Sequence, residues 1–181
     1  GFAPGDCLLI SFMAAVPMAR LAELAPLARI VRAMPNGGAT SGSSYTPWLA
    51  GALDAEDVAR TRRILSAMGG EDRVESEDHL DILTALSGSG PAYPALMARA
   101  LYRQALALGL PAAIAERAVE SVVCGSAAGL QVAEADRVIA AMISYRGITA
   151  AGLQAAQDAG FEAALDAALV AAVARARAMG R

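Results

Sequence analysis

The string Leu86-Ser87-Gly88-Ser89-Gly90-Pro91-Ala92-Tyr93, set between a polar lead-in and an apolar run that ends at Gly109-Leu110-Pro111, limits what this chain can build. A glycine costs about 1 kcal/mol in a helix interior and a proline ~3 kcal/mol, so their presence in an apolar segment implies a need for close backbone approach. Beyond Pro91, residues Leu96, Met97, Leu101, Leu106 and Leu110 keep near-helical spacing, which predicts a helix that starts at the proline with the glycines at its mouth. Amides at such a mouth can meet an anion, and a Gly/Ser kink where two helices cross closely fits the same spacing.

With 181 residues, 56% of them hydrophobic, the chain can bury a sizeable core as one large domain or two small ones. Aromatic residues make up only 4% and alanine is abundant, which favours packed helices over a sandwich or barrel. The net charge is -3, all 15 basic residues are arginine, and no basic run is longer than Arg62-Arg63, so the footprint of a nucleic-acid binder is missing. Cys7 and Cys124 each lie in an apolar segment and read as buried thiols of a reducing, cytoplasmic compartment, with no metal site. No apolar run approaches the roughly 20 residues of a membrane span. The opening Gly1-Phe2-Ala3-Pro4-Gly5 has no basic leader and runs directly into a strand pattern, as in a chain entered midway.

Residues 7–12 form a nearly continuous apolar run, the pattern of a strand buried on both faces of a parallel sheet. A helix follows, with Pro17 in its first turn, Met18, Leu21, Leu24 and Ala25 on one face, and Pro26 as its stop. Residues 29–34 read as a second strand, joined to the first by a right-handed crossover and ended by the turn Pro35-Asn36-Gly37-Gly38. Ligands of open α/β sheets bind at the carboxyl ends of strands, which places Ala14 and the turn from Met34 to Gly38 on the working edge. Residues 44–50 read as a third strand, confined to a sheet edge by Pro47. Asp54 caps a helix with Val58, Ile64, Leu65 and Met68 as its apolar stripe and Gly69-Gly70 as its stop. Arg73-Val74-Glu75 reads as a short last strand, after which an acidic stretch marks a domain boundary near residue 76.

Everything beyond reads as helix: residues 111–132, 135–143 with Asp136 as a cap, 150–159, and 161–179 with Phe161, Leu165, Leu169 and Val173 on one face. These stripes leave more apolar surface than a monomer of this size exposes, which predicts an obligate homodimer. Ser144-Tyr145-Arg146-Gly147-Ile148-Thr149 is the one polar loop in this half. Its closing hydroxyl and the amides of the next helix suit a carboxylate, and Thr149 as a simple N-cap fits the same residues.

Val31-Arg32-Ala33-Met34-Pro35-Asn36, then Leu83-Thr84-Ala85-Leu86-Ser87-Gly88-Ser89-Gly90-Pro91-Ala92-Tyr93, then Gly109-Leu110-Pro111, then Gly147-Ile148-Thr149 followed by Ala151-Gly152-Leu153, occur in the order found in pyrroline-5-carboxylate reductases. The chain resembles that family over nearly its whole length, and the Ser-Gly-Ser-Gly-Pro-Ala-Tyr string is the most diagnostic part. The resemblance implies an α/β remnant of a Rossmann-type domain in residues 1–76, followed by an all-α dimerisation and substrate-binding domain in residues 77–181. Family members carry further strands and a glycine-rich phosphate turn ahead of this region.

The activity implied is NAD(P)H-dependent reduction of the C=N bond of 1-pyrroline-5-carboxylate to L-proline, in proline biosynthesis. NADPH or NADH is the cofactor and the assembly is a homodimer, built in many members into a larger ring. By the same resemblance Ser144, Gly147, Ile148, Thr149 and Ser89 bind the substrate, with the Thr149 hydroxyl as the catalytic group near the imine nitrogen. Ala14, Met34, Pro35 and Asn36 flank the nicotinamide.

The family loop usually reads Ser-Pro-Gly-Gly-Thr-Thr. Tyr145, Arg146 and Ile148 replace its small or rigid residues and predict a reshaped pocket, and Gly37-Gly38 after Asn36 predict a looser turn. A related imine or keto-acid reductase and a non-catalytic helical oligomerisation module are the other readings. No Gly-x-Gly-x-x-Gly follows a strand: after Gly88 and Gly90, Pro91 removes an amide and Tyr93 stands in the third glycine's place. These residues alone are therefore expected to bind the dinucleotide weakly, and the strands at Cys7 and Ile30 to be left with an unpaired sheet edge.

Overall fold

The structure, a computed structural model, describes residues 7–26 and 28–179; the opening segment of residues 1–6 lies outside it. A small four-stranded sheet is followed by a mostly helical region. Two units result: the described residues up to Pro91 together with residues 169–179, and Ala92–Ala168.

The first unit runs β1 (Leu8–Ser11), α1 (Met18–Leu24), β2 (Arg29–Ala33), a 3-10 turn (Gly37–Ser41), β3 (Ser44–Ala50), α2 (Ala55–Ser66), β4 (Gly69–Arg73), α3 (Glu77–Leu83) and a π-type turn (Thr84–Gly88). Strand order is β1-β2-β3-β4. β1 and β2 are parallel with Ser11 opposite Arg32, β2 and β3 antiparallel with Ala33 opposite Trp48, and β3 and β4 parallel with Ser44 opposite Gly69. Alternation along β2 sends successive side chains to opposite faces. Val31 and Ala33 join Trp48 and Leu65 in a fully buried cluster on the α2 side. Arg32, only 3% exposed, points the other way, where it pairs with Glu77 and lies 4.0 Å from Asp81 on α3.

α2 forms as its sequence dictates: the Asp54 side chain accepts the Asp57 N–H at 2.8 Å, and Glu56 and Asp57 stand at the positive end of the helix. Asp57, buried under α2, pairs with Arg29 at the start of β2 and so ties the helix to the sheet. Leu65, Val58 and Met68 pack into the cluster, whereas Ile64, predicted for the same stripe, is exposed. Residues 8–10 are only half-buried, in contrast to the expected strand buried on both faces, because β1 has no second partner strand among the described residues. β2, by contrast, is paired on both sides.

Two strand expectations are corrected. Pro47 lies in the interior strand β3, not at an edge. Its carbonyl accepts the Met34 N–H at 3.0 Å, but it has no N–H to return, so the antiparallel ladder with β2 ends there while the parallel ladder with β4 continues. The last strand is Gly69–Arg73 and not residues 73–75. Gly-Gly-Glu-Asp-Arg has almost no strand propensity, and its state comes from backbone pairing with β3.

The second unit contains α4 (Ala92–Ala107), α5 (Ala112–Glu120), α6 (Ala135–Ser144), α7 (Ile148–Asp158) and the start of α8 (Phe161–Met179), whose end belongs to the first unit. α4 starts directly after Pro91 as predicted. A Cβ on Gly90 would lie 3.0 Å from the Ser87 carbonyl oxygen and 3.3 Å from that of Leu86, so the close approach there is to its own turn rather than to a crossing helix.

The helix predicted over residues 111–132 stops short. It passes through a π-type turn (Ser121–Gly125) and a 3-10 turn (Ser126–Gly129) before Leu130 goes extended. α6 has Glu134 at its N-cap with no side-chain bond to the helix backbone, so Asp136 is a first-turn acid and not the cap. Cys7 and Cys124 are both exposed, not buried: an apolar neighbourhood in sequence does not by itself cover a helix face. Among the described residues of this unit only Ala115 is a buried apolar residue, while Leu96, Leu101, Ile114, Val138, Phe161 and Leu165 are exposed on the single chain. Among the described residues no helix is long and apolar enough to cross a membrane.

Candidate functional site

In the first unit, parallel pairing of β1 and β2 with Ser11 opposite Arg32 brings the carboxyl ends of both strands to one edge. Ala14 is exposed just beyond β1, and the Ser11 hydroxyl accepts the Met13 N–H at 3.3 Å. Met34 is buried at the end of β2, followed by half-buried Pro35 and Asn36. The turn after Asn36 is not loose, in contrast to the expectation from Gly37-Gly38. The Asn36 side-chain oxygen accepts the Gly38 N–H at 2.9 Å, the Ser44 hydroxyl accepts the Asn36 N–H at 3.0 Å, and the Gly38 carbonyl accepts the Ser43 N–H at 2.9 Å. A Cβ on Gly38 would sit 2.8 Å from Ser43 backbone atoms, so the glycine permits a tight turn rather than a flexible one. The Asn36 side-chain nitrogen also donates to the Ser87 carbonyl at 3.2 Å, joining this turn to the one that ends at half-buried Ser89.

In the second unit, Ser144, Gly147, Ile148 and Thr149 lie together where α6 gives way to α7. Ser144 ends α6 with its hydroxyl donating to the Ala141 carbonyl at 2.8 Å, and Arg146 turns the chain with φ 52°. Gly147 is the N-cap of α7 and supplies no side-chain cap, so Thr149 stands inside the first turn and the reading of Thr149 as an N-cap is set aside. The first helical N–H groups therefore have no helical acceptor. Met142, Tyr145, Gly147, Ile148 and Thr149 line a largely apolar groove of about 350 Å³. Tyr145 is 89% and Ile148 95% exposed, which leaves the groove flanked by two large apolar side chains. Helix N-terminal amides, a hydroxyl and an apolar wall are the parts needed to hold a small ring that carries a carboxylate.

The family model described as pyrroline-5-carboxylate reductase dimerisation matches residues 77–179. The chain belongs to the pyrroline-5-carboxylate reductase family. It is 35% identical over 177 residues to the pyrroline-5-carboxylate reductase of Synechocystis, covering 96% of this chain and 66% of the relative. It is 33% identical over 177 residues to that of Pisum sativum, covering 96% and 64%. The structure matches a Plasmodium falciparum pyrroline carboxylate reductase solved with NADP bound, at TM-score 0.85 and 26% identity over 96% of this chain and 71% of that one. It also matches the Coxiella burnetii reductase at TM-score 0.85 and 30% identity, over 96% and 66%. The chain thus spans about two thirds or less of the length of these curated relatives.

The residues present fit the nicotinamide end of a dinucleotide. Pro47 has no N–H to give the Met34 carbonyl opposite it, which leaves that oxygen able to accept from a carboxamide. They do not supply a pyrophosphate turn. Sequence reasoning missed Ser44 and Ser87, which hold Asn36 in place. The Asn36-to-Gly38 bond is a local Asx turn and could be read from Asn-x-Gly, but the reach to Ser87 spans 51 positions and has no local signal.

Proposed function

We propose that the whole protein is a reductase of 1-pyrroline-5-carboxylate, producing L-proline, with NADPH or NADH as its cofactor. When bound, the dinucleotide supplies the hydride. The observation that carries the reading is the α6–α7 opening, where bare helix amides and the first-turn Thr149 sit beside an apolar groove in a chain of this family. The amides of Ile148 and Thr149 hold the substrate carboxylate, and Gly147 lets the backbone approach it. The Thr149 hydroxyl hydrogen-bonds the imine nitrogen. As hydride adds to the carbon, the nitrogen gains electron density and takes up a proton from water, and the bond from the Thr149 hydroxyl strengthens on the way, which makes it worth more in the transition state than in the ground state. Ser144 adds a polar group to the α6–α7 opening; in the first unit Ser89 is the proposed substrate contact, and Ala14, Met34 and Pro35 form the nicotinamide-flanking edge.

The division of labour proposed is an α/β part up to residue 76 and a substrate-binding, dimerising part from residue 77, in a cytoplasmic enzyme. A spectrophotometric assay of NADPH and NADH oxidation by the full-length protein, with 1-pyrroline-5-carboxylate and a panel of cyclic imines and 2-keto acids with amines, tests the activity. Turnover greatest on 1-pyrroline-5-carboxylate is expected. Turnover confined to other imines would mean that Tyr145, Arg146 and Ile148 have changed the substrate, and none at all would return the chain to a non-catalytic role.

The exposed stripes of α4, α5 and α8 are apolar surface of the kind a second copy buries, at about 25 cal/mol per Å². A dimeric mass in light scattering at micromolar concentration is expected, and larger rings of dimers at higher mass. A folded monomer under those conditions would overturn this.

A further inference from the structure

We propose that Asn36 is a positioning residue that clamps the Ser-Gly turn before α4 against the carboxyl edge of β2, rather than a group that contacts the cofactor. Its side chain is already committed at both ends: the oxygen accepts the Gly38 N–H at 2.9 Å and the nitrogen donates to the Ser87 carbonyl at 3.2 Å. Its own N–H is taken by the Ser44 hydroxyl at 3.0 Å, which in turn is bonded to the Thr46 hydroxyl at 3.1 Å in a buried position. An asparagine used in this way has one donor hydrogen and one acceptor lone pair left, both beside the bonds it already makes.

The acceptor it reaches is a hub. The Ser87 carbonyl also receives the Gly90 N–H at 3.2 Å and the N–H of Ser89, so a shift of this one oxygen moves the serine that the proposed function places at the substrate. The Ser87 hydroxyl donates to the Leu83 carbonyl at 2.8 Å, which fixes the other side of the same residue to α3. The inference assigns coupling between the two motifs, and its consequence for catalysis rests on the reductase reading above. The coupling itself stands or falls on the backbone.

Asn36→Asp separates the two bonds, because an aspartate still accepts the Gly38 N–H but cannot donate to Ser87. Hydrogen exchange on the full-length protein is expected to show faster exchange of the Ser89 and Gly90 amides by roughly tenfold, with Gly38 unchanged, as for loss of one hydrogen bond. Asn36→Ala is expected to accelerate both sites. In the full-length protein Asn36→Asp is expected to raise KM for the imine and lower kcat, with the dinucleotide Kd held within twofold.

Unchanged exchange at Ser89 and Gly90 overturns the proposal, as does an equal rise throughout the first unit, which would assign Asn36 to general stability. A weaker dinucleotide Kd without altered exchange would make it a cofactor contact. Altered exchange in a protein that reduces no imine would keep the clamp and remove only the reductase reading.

Discussion

Arg32→Ala is expected to lower the stability of the chain by about 3 kcal/mol in urea unfolding at neutral pH, the lower end of the range for breaking a buried ion pair. Arg32 is 3% exposed and ion-paired with Glu77, whose other oxygen accepts the Met18 N–H at 2.6 Å at the start of α1. One guanidinium thus helps join β2, α1 and α3. Its Nε is buried with no hydrogen-bond partner, so the native arrangement already carries a cost, and the loss from truncation lies in the acids left behind. Glu77 is partly solvated, with a side chain 36% exposed, which holds the effect below the upper end near 5 kcal/mol.

Asp81 gives the same experiment a pH signature. Burial raises its pKa above 3.8; Glu77 and Asp78 add to the rise and Arg32 and Arg177 oppose it. A carboxyl with a raised folded pKa is protonated more readily folded than unfolded. Its contribution therefore favours the fold below the unfolded value and is lost as pH rises through the folded value. Removing Arg32 raises Asp81 further, so the deficit of Arg32→Ala is expected to shrink as pH falls from neutral towards 3.8. A deficit below 1 kcal/mol, or one that grows on acidification, would count against this account.

Thr149→Val in the full-length protein is expected to reduce turnover by roughly 30- to 1,000-fold, the equivalent of ~2 to 4 kcal/mol of transition-state stabilisation. The substitution keeps the β-branched shape and removes the hydroxyl. Thr149 is exposed in the first turn of α7 and does not cap that helix, so the fold is expected to change by less than about 0.5 kcal/mol. Because the hydroxyl is proposed to act on the reacting nitrogen, the dinucleotide Kd should stay the same and kcat should carry the loss. Wild-type turnover in the variant would leave Thr149 as a surface residue of α7 and assign the hydrogen bond to the imine nitrogen to another group.

Local sequence carried those parts of the molecule whose cause is local. The N-cap at Asp54, the start of α4 after Pro91 and the span of α8 followed from capping residues and apolar spacing. The turn between α6 and α7 was legible because its residues are contiguous, although it is shorter than the expected loop: Ser144 still belongs to α6, and Ile148 and Thr149 already belong to α7. β4 was not, since Gly69–Arg73 becomes a strand only through its partner β3. The rule that confines proline to sheet edges failed at Pro47 for a specific reason: an interior strand has two sides, and the missing donor ends the ladder only on the side of β2 while pairing with β4 continues. The exposure of Cys124 was hidden because apolar spacing fixes which residues share a face, not whether anything within the same chain covers it.

The path of α8 bears on how the protein can be divided. The chain leaves the sheet unit at Pro91 and rejoins it at Leu169, and Arg177 near the carboxyl end of α8 pairs with Asp78 on α3. In topological terms the helical unit is a guest inserted into a host, an excursion with both ends moored to the same body. Closing such an excursion costs only logarithmically more as it lengthens, so a longer guest adds little to the cost borne by the host. A single cut after residue 91 does not separate host from guest, because the last turns of the chain still belong to the domain in which it began.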